Sequence, residues 1–221
     1  MTAASHPEQV VILGAGYTGL MAALRLARRT RQRGTRLTLV NPSERFTERL
    51  RMHQIATGQD LAYYSVPELT EGTGIEFVQG LATSIVAGAH RVTVDRAGQP
   101  CELDCDYLIY AIGSGANTGM VAGADQHAFT LDTPATAGRF AKRLQALDGH
   151  GTVAVCGNGL TGIEAAAEIA ESHPGLGVVL IGRDEPAPMM GPRARRYLLG
   201  ALGRLGVQVR SGAEVTKSPR G

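Results

Sequence analysis

The chain has 221 residues, 43% of them hydrophobic and 19% charged, which is enough for one large globular domain or two small ones. Twenty-two Lys and Arg stand against 20 Asp and Glu, a formal net charge of +2, so there is no basic field for nucleic acid and no acidic tail. Three cysteines are too few for a secreted disulfide scaffold.

In chain order, residues 1–9 are polar, contain Pro7 and read as a short disordered lead-in. The apolar run 10–26 is interrupted by Gly14, Gly16 and Gly19 and ends among arginines. It lacks the leading positive charge and small-residue cleavage site of a signal peptide, and no apolar run approaches a bilayer span. A cytoplasmic protein without a transmembrane segment is therefore expected. Residues 10–14 read as a buried parallel strand that stops at a glycine. Leu20, Ala23, Leu24 and Ala27 then follow helical spacing. Arg25, Arg28 and Arg29 read as the solvated face of that helix. Gly34 ends the helical region and residues 36–40 read as a second strand, which completes a βαβ unit of a doubly wound sheet.

Residues 43–70 read as short helices and loops. Short β segments at 75–78, 82–86, 91–95 and near 101–103 suggest an antiparallel meander at about 75–105, and 107–112 is a further apolar strand closing on Gly113. Residues 115–133 look irregular, and Pro134 opens a helix to about 147. After the turn Asp148-Gly149-His150-Gly151, a second βαβ unit is expected. It has a strand at 152–156, a helix to about 171 and a strand at 177–181, with a helix at 193–205 and a strand at 207–210 beyond. The expected fold is thus α/β, with two Rossmann-like units at 1–115 and 151–221 joined by a connecting segment at 116–150. Cys101 and Cys105 are four residues apart on extended chain, about 13 Å, too far for a disulfide. They and Cys156 read as small core residues.

Two glycine turns carry the chemistry. Gly14-Ala15-Gly16-Tyr17-Thr18-Gly19 and Gly157-Asn158-Gly159-Leu160-Thr161-Gly162 each sit between a strand and a helix. The first glycine permits the tight turn, the second lets the backbone approach a pyrophosphate, and the third lets helix and strand pack closely. The amides of the helix start then face the negative charge. One such pattern is weak in a chain with 29 glycines, but its repetition in the full strand-turn-helix context is specific. Two turns imply two nucleotides, and a flavin meeting a nicotinamide is the natural chemical use. The ribose-reading position after the second strand is Asn41 in the first unit. In the second unit the sequence is Ile181-Gly182-Arg183-Asp184, where Asp184 suits a free ribose and Arg183 a 2′-phosphate, or both form an exposed turn pair. NADH and NADPH stay open.

With these motifs the sequence resembles the pyridine nucleotide-disulfide oxidoreductase family of two-dinucleotide-binding-domain flavoproteins, most of all its type II NADH dehydrogenase-like branch. The carriers are residues 10–19, the strand Asp106-Tyr107-Leu108-Ile109-Tyr110-Ala111-Ile112-Gly113-Ser114, and residues 153–164. The resemblance implies FAD at the first unit, with contacts from Gly14, Gly16, Tyr17, Thr18, Gly19, Asn41, Ala111 and Gly113. It implies NAD(P)H at the second, with Gly157, Gly159, Leu160, Thr161, Gly162 and Arg183. The family's second motif usually ends Ala-Thr-Gly. Ile112 replaces the threonine here, which weakens one hydrogen bond and keeps the close-approach glycine. Glu164 matches a family glutamate near the nicotinamide, and could equally be a first-turn helix acid.

The segment 48–58 lies where the family's disulfide reductases carry their cysteine pair. It holds none, which disfavours thiol-disulfide chemistry. His53 and Gln54 there suit packing or surface better than a flavin contact. No histidine has metal-ligand spacing.

The implied activity is hydride transfer from NAD(P)H to FAD and on to a small-molecule acceptor such as a quinone, with a homodimer conceivable for the full-length form. A monooxygenase of the Baeyer-Villiger type is disfavoured, since its motif contains tryptophan and the chain has none. The family's return strand, with a Gly-Asp pair for FAD, is not found before Gly221, so the C-terminal part of the family fold is expected to be missing. That leaves a truncated or degenerate nucleotide-binding fragment without catalysis as the alternative.

Overall fold

A computed structural model describes residues 6–217. Residues 1–5, most of the lead-in expected to be disordered, and the final residues 218–221 lie outside the described residues. The first elements are β1 (Gln9–Leu13), α1 (Tyr17–Thr30), β2 (Arg36–Asn41), α2 (Met52–Ala56), α3 (Val66–Thr70), β3 (Ile75–Gln79), β4 (Leu81–Val86), β5 (Arg91–Arg96), β6 (Gln99–Asp104) and β7 (Tyr107–Tyr110). They are followed by α4 (Ala124–His127), α5 (Pro134–Gln145), β8 (Thr152–Cys156), α6 (Leu160–Ser172), β9 (Gly177–Ile181), α7 (Pro192–Arg204) and β10 (Gln208–Arg210). The chain divides into two compact units, Met1–Glu48 with Ala62–Ser114, and Arg49–Leu61 with Gly115–Gly221.

The first unit is built on a parallel sheet of order β3-β2-β1-β7. Its centre is β1, where Val10 to Leu13 are all buried. Alternation of side chains along a strand divides these four between two faces. Val10 and Ile12 join Leu20, Ala23 and Ala27 of α1 in one cluster, while Val11 and Leu13 join Val40, Val78 and the fully buried Val92 and Val94 of β5 in another. Such two-sided burial explains why the strand reads as a continuous apolar run.

The antiparallel meander is present as β4-β5-β6, and its expected start is corrected. β3 does not belong to it: Ile75 to Gln79 pair in parallel with Leu37 to Asn41 of β2. The chain returns through α3, whose N-cap Ser65 accepts from the Glu68 amide, and through Gly72 and Gly74 at φ of 70° and 78°. Residues after β2 therefore form a crossover rather than a hairpin, as a parallel neighbour demands.

The second unit holds a three-stranded parallel sheet of order β10-β9-β8. One core cluster joins Leu144 of α5, Ile163, Ala166 and Ile169 of α6, Val178 and Leu180 of β9, and Leu202 of α7. The stretch read from sequence as a connector thus supplies α5 to this core. The start of α5 is fixed by a reciprocal capping box between Thr133 and Thr136. The short α2 packs on α5 and α6, which places the excursion 49–61 in this unit.

The cysteine expectation is also corrected. Only Cys105 is buried; Cys101 is half-buried, Cys156 is exposed, and all three are free thiols. Val153 and Val155 of β8 touch the core, and the alternation of the strand sends Thr152, Ala154 and Cys156 to the other, exposed face. No helix among the described residues is long and apolar enough to cross a membrane.

Candidate functional site

Both glycine turns have the same backbone construction. The Gly14 amide donates to the Val40 carbonyl at 2.8 Å, and the Gly157 amide to the Ile181 carbonyl at 2.8 Å. Each first glycine has a positive φ, 97° and 112°, a conformation that strains any side chain. Each third glycine abuts the first: a Cβ on Gly19 would overlap the Gly14 carbonyl, and one on Gly162 the Gly157 carbonyl. These four glycines are therefore required by the fold itself.

The middle glycines are different. Gly16 and Gly159 have φ of −73° and −71°, open to any residue. A Cβ at either would meet nothing within 4 Å. Among the described residues, neither the backbone nor the packing calls for glycine there. A group from outside that lies against the main chain, as a diphosphate does at a helix start, has room at both positions. Gly16 and Gly159 are the N-caps of α1 and α6, and neither helix has a side-chain cap or an acid in its first turn. Those first-turn amides have no intrahelical acceptor and carry the positive end of the helix dipole. The residues fit a pyrophosphate at each turn.

The surroundings of the first turn come from β2 and β7. Asn41 Oδ1 accepts from the Ala15 amide at 2.9 Å, and its Nδ2 donates to the Ser43 carbonyl at 2.7 Å. Asn41, expected as a ribose contact, is thus also a brace for the turn. The Ala111 amide donates to the Leu13 carbonyl at 2.8 Å, and the Ala111 carbonyl occupies the space that a Cβ on Gly14 would need. Gly113 follows with φ of 77°. Tyr17 packs its ring edge-on against Phe46, centroids 5.1 Å apart, with Thr18 exposed beside it.

Around the second turn, Leu160 and Thr161 are exposed at the start of α6. Glu164 is the fifth residue of that helix, and α6 has no acid in its first turn, which corrects its reading as a first-turn acid. Its side chain is half exposed, and Oε2 lies 3.8 Å from Nδ1 of the largely buried His53. Gln54 accepts from Arg51 Nε at 2.8 Å. His53 thus lies against α6 of this unit, and the Gln54 contact stays within the 49–61 excursion. Arg183 Nη2 stands 3.4 Å from Glu214 Oε1, with both side chains more than 60% exposed.

Two residues matter here that the sequence reading passed over. Asn158 Nδ2 donates to the Asp184 carbonyl, and the Asn158 carbonyl accepts from the Ala187 amide at 3.4 Å. Its carboxamide fills the space where Gly182 would carry a Cβ. The signal was available as a reciprocal pattern: Ala15 opposite Asn41 in one unit, Asn158 opposite Gly182 in the other.

The family profile of pyridine nucleotide-disulphide oxidoreductases matches residues 8–220, and the chain belongs to that family. A type II NADH:quinone oxidoreductase of Staphylococcus epidermidis is 27% identical over 188 residues, covering 78% of this chain and 46% of that protein. One from Staphylococcus aureus is 26% identical over 187 residues with the same coverage. The chain thus spans about half the length of the curated relatives it matches. Among solved structures, NDH2 from Plasmodium falciparum in complex with NADH superposes with a TM-score of 0.84 at 20% identity, over 97% of this chain and 50% of that one. A NAD-dependent persulfide reductase from A. fulgidus gives 0.80 at 23% identity, over 96% and 41%. These likenesses establish the fold.

Proposed function

We propose, with membership of the pyridine nucleotide-disulphide oxidoreductase family as the premise, that this chain is the dinucleotide-binding part of an FAD-dependent NAD(P)H oxidoreductase. FAD lies at the first turn, against Gly14, Gly16, Tyr17, Thr18, Gly19, Asn41, Ala111 and Gly113. NAD(P)H lies at the second, against Gly157, Gly159, Leu160, Thr161, Gly162 and Arg183, with Glu164 near the nicotinamide. The cofactors supply the redox chemistry, a hydride passing from nicotinamide to flavin and electrons then to an acceptor such as a quinone.

The observation that carries this reading is the pair of middle glycines, Gly16 and Gly159, each the bare N-cap of its helix with open space where a Cβ would stand. The chain's own contribution is placement. Bare helix-start amides hold the diphosphates, Asn41 and Ala111 keep the first turn in shape, and Asn158 ties the second turn to the loop after β9. Positioning of this kind needs no catalytic triad.

The flavin spectrum of the purified chain tests the reading. Protein incubated with FAD and desalted should be yellow and should bleach anaerobically with a reduced nicotinamide nucleotide. Gly16→Val should lose the flavin and keep its thermal transition, because a Cβ there meets nothing within 4 Å. Gly159→Val should stay yellow and lose the bleaching. A colourless protein after incubation with FAD would sink the proposal and favour the non-catalytic nucleotide-binding reading.

A further inference from the structure

The second unit reads its ribose from an altered position. The amide of each first glycine bonds a carbonyl near the end of the neighbouring strand, Val40 in one unit and Ile181 in the other, which puts these two residues in register. The residue that follows is the one from which this fold reads the adenosine ribose, by an acid for a free diol or with an arginine nearby for a 2′-phosphate. In the first unit it is Asn41; in the second it is Gly182. Gly182 offers no carboxylate there, and a Cβ on it would displace the Asn158 carboxamide.

Arg183 comes next, and its main chain is fixed. The Gly182 amide bonds the Arg210 carbonyl at 3.0 Å, the Gly212 amide the Arg183 carbonyl at 3.1 Å, and the Ala213 amide the Gly182 carbonyl at 3.1 Å. Its guanidinium, by contrast, pairs among the described residues with the exposed Glu214 at 3.4 Å, and such exposed pairs yield readily. Asp184, the acid that would suit a free diol, comes two residues after the reading position, with its carbonyl turned to Asn158. A fixed backbone carrying a releasable planar cation is what recognises a phosphate.

We propose that the second nucleotide site prefers an adenosine ribose bearing a 2′-phosphate, NADPH over NADH, with Arg183 as the reading residue and Gly182, packed against the Asn158 carboxamide, in place of the acid. This rests on the reading of the Gly157 turn as the nicotinamide nucleotide site. It differs from the NADH in the names of the relatives.

Calorimetric titration of the FAD-incubated 221-residue chain with ADP-ribose and with its 2′-phosphorylated form tests it. Binding that survives Gly159→Val belongs to the first turn and is subtracted. The 2′-phosphorylated ligand should bind about tenfold tighter, as one charge-assisted contact implies, and the margin should shrink as salt rises. Arg183→Ala should remove the difference, and Glu214→Gln, which frees the guanidinium, should widen it. Equal or tighter binding of plain ADP-ribose, or a preference that survives Arg183→Ala, overturns the proposal and leaves the nucleotide site standing. If neither ligand binds, the proposal and the nucleotide reading of the turn fall together.

Discussion

The two glycine turns share a backbone and differ in what braces them. In the first unit the asparagine sits on the strand end, and Asn41 reaches back to the Ala15 amide. In the second it sits in the turn, and Asn158 reaches out over Gly182 to the Asp184 carbonyl. The neighbours differ as well. β1 lies between β2 and β7, so Ala111 at the end of β7 closes on the first turn, whereas β8 pairs only with β9 among the described strands. The first and third glycines follow from turn geometry, and the proposed diphosphates account for the middle ones. The bracing differs with the position of the strand in its sheet, and through Gly182 it bears on the nucleotide preference proposed for the second turn.

The sharpest way to break this comparison is to place the same methyl on both first glycines. Gly14→Ala and Gly157→Ala incur a similar backbone cost at positive φ, about 1 kcal/mol. At Gly14 the methyl must also displace the Ala111 carbonyl, an overpacking cost of about 1–3 kcal/mol. At Gly157 it meets nothing within 4 Å. Hydrogen exchange of the β1 and β8 amides reports each unit separately, which avoids assuming one cooperative transition. The β1 amides should lose clearly more protection in Gly14→Ala than the β8 amides do in Gly157→Ala. Equal losses would mean that β7 does not brace the first turn.

A smaller effect is expected from the interlock in the second unit. Gly182→Ala pushes a methyl into the Asn158 carboxamide and should cost about 1–2 kcal/mol. Asn158→Ala removes the obstacle, so the double variant should be more stable than the sum of the single changes predicts, the signature of direct contact. Strict additivity in β8 and β9 protection would show that the two residues do not touch.

Much of this architecture was legible because it is local. The strand-turn-helix units at Gly14 and Gly157 follow from apolar runs, helical spacing and glycine placement, and both are found with little shift of boundary. Non-local features were hidden. Ile75 to Gln79 has the composition of any short strand, and only its parallel pairing with β2 shows that it leaves the meander. Cys156 ends an apolar strand, yet its exposure depends on which face the helices cover. The brace formed by Asn158 and Gly182 joins residues 24 positions apart, and no single-residue propensity encodes it. His53 and Glu164 stood in separate segments of the sequence and meet because α2 packs on α6.

The smallest effect concerns acid and should fall on the second unit alone. Asp132 Oδ1 accepts from the Thr130 hydroxyl at 2.6 Å and the Thr136 hydroxyl at 3.1 Å, and Oδ2 from the Ala116 amide at 3.4 Å. These bonds, the Thr130 one foremost, hold the carboxyl below its usual range against the opposing effect of burial. A carboxyl depressed by folding adds stability that is fully present above its unfolded value, about 4, and is lost as pH falls through the folded value. Acid below about pH 4 should therefore loosen the start of α5, seen as faster exchange of its amides once the intrinsic pH dependence is divided out. Asp132→Asn keeps an acceptor and removes the charge, so it should cost about 1 kcal/mol at neutral pH and flatten that acid response. The β1 amides of the first unit should exchange as in the parent protein. If α5 loosens in acid to the same degree in Asp132→Asn, the capping cluster is not what distinguishes the acid response of the second unit from that of the first.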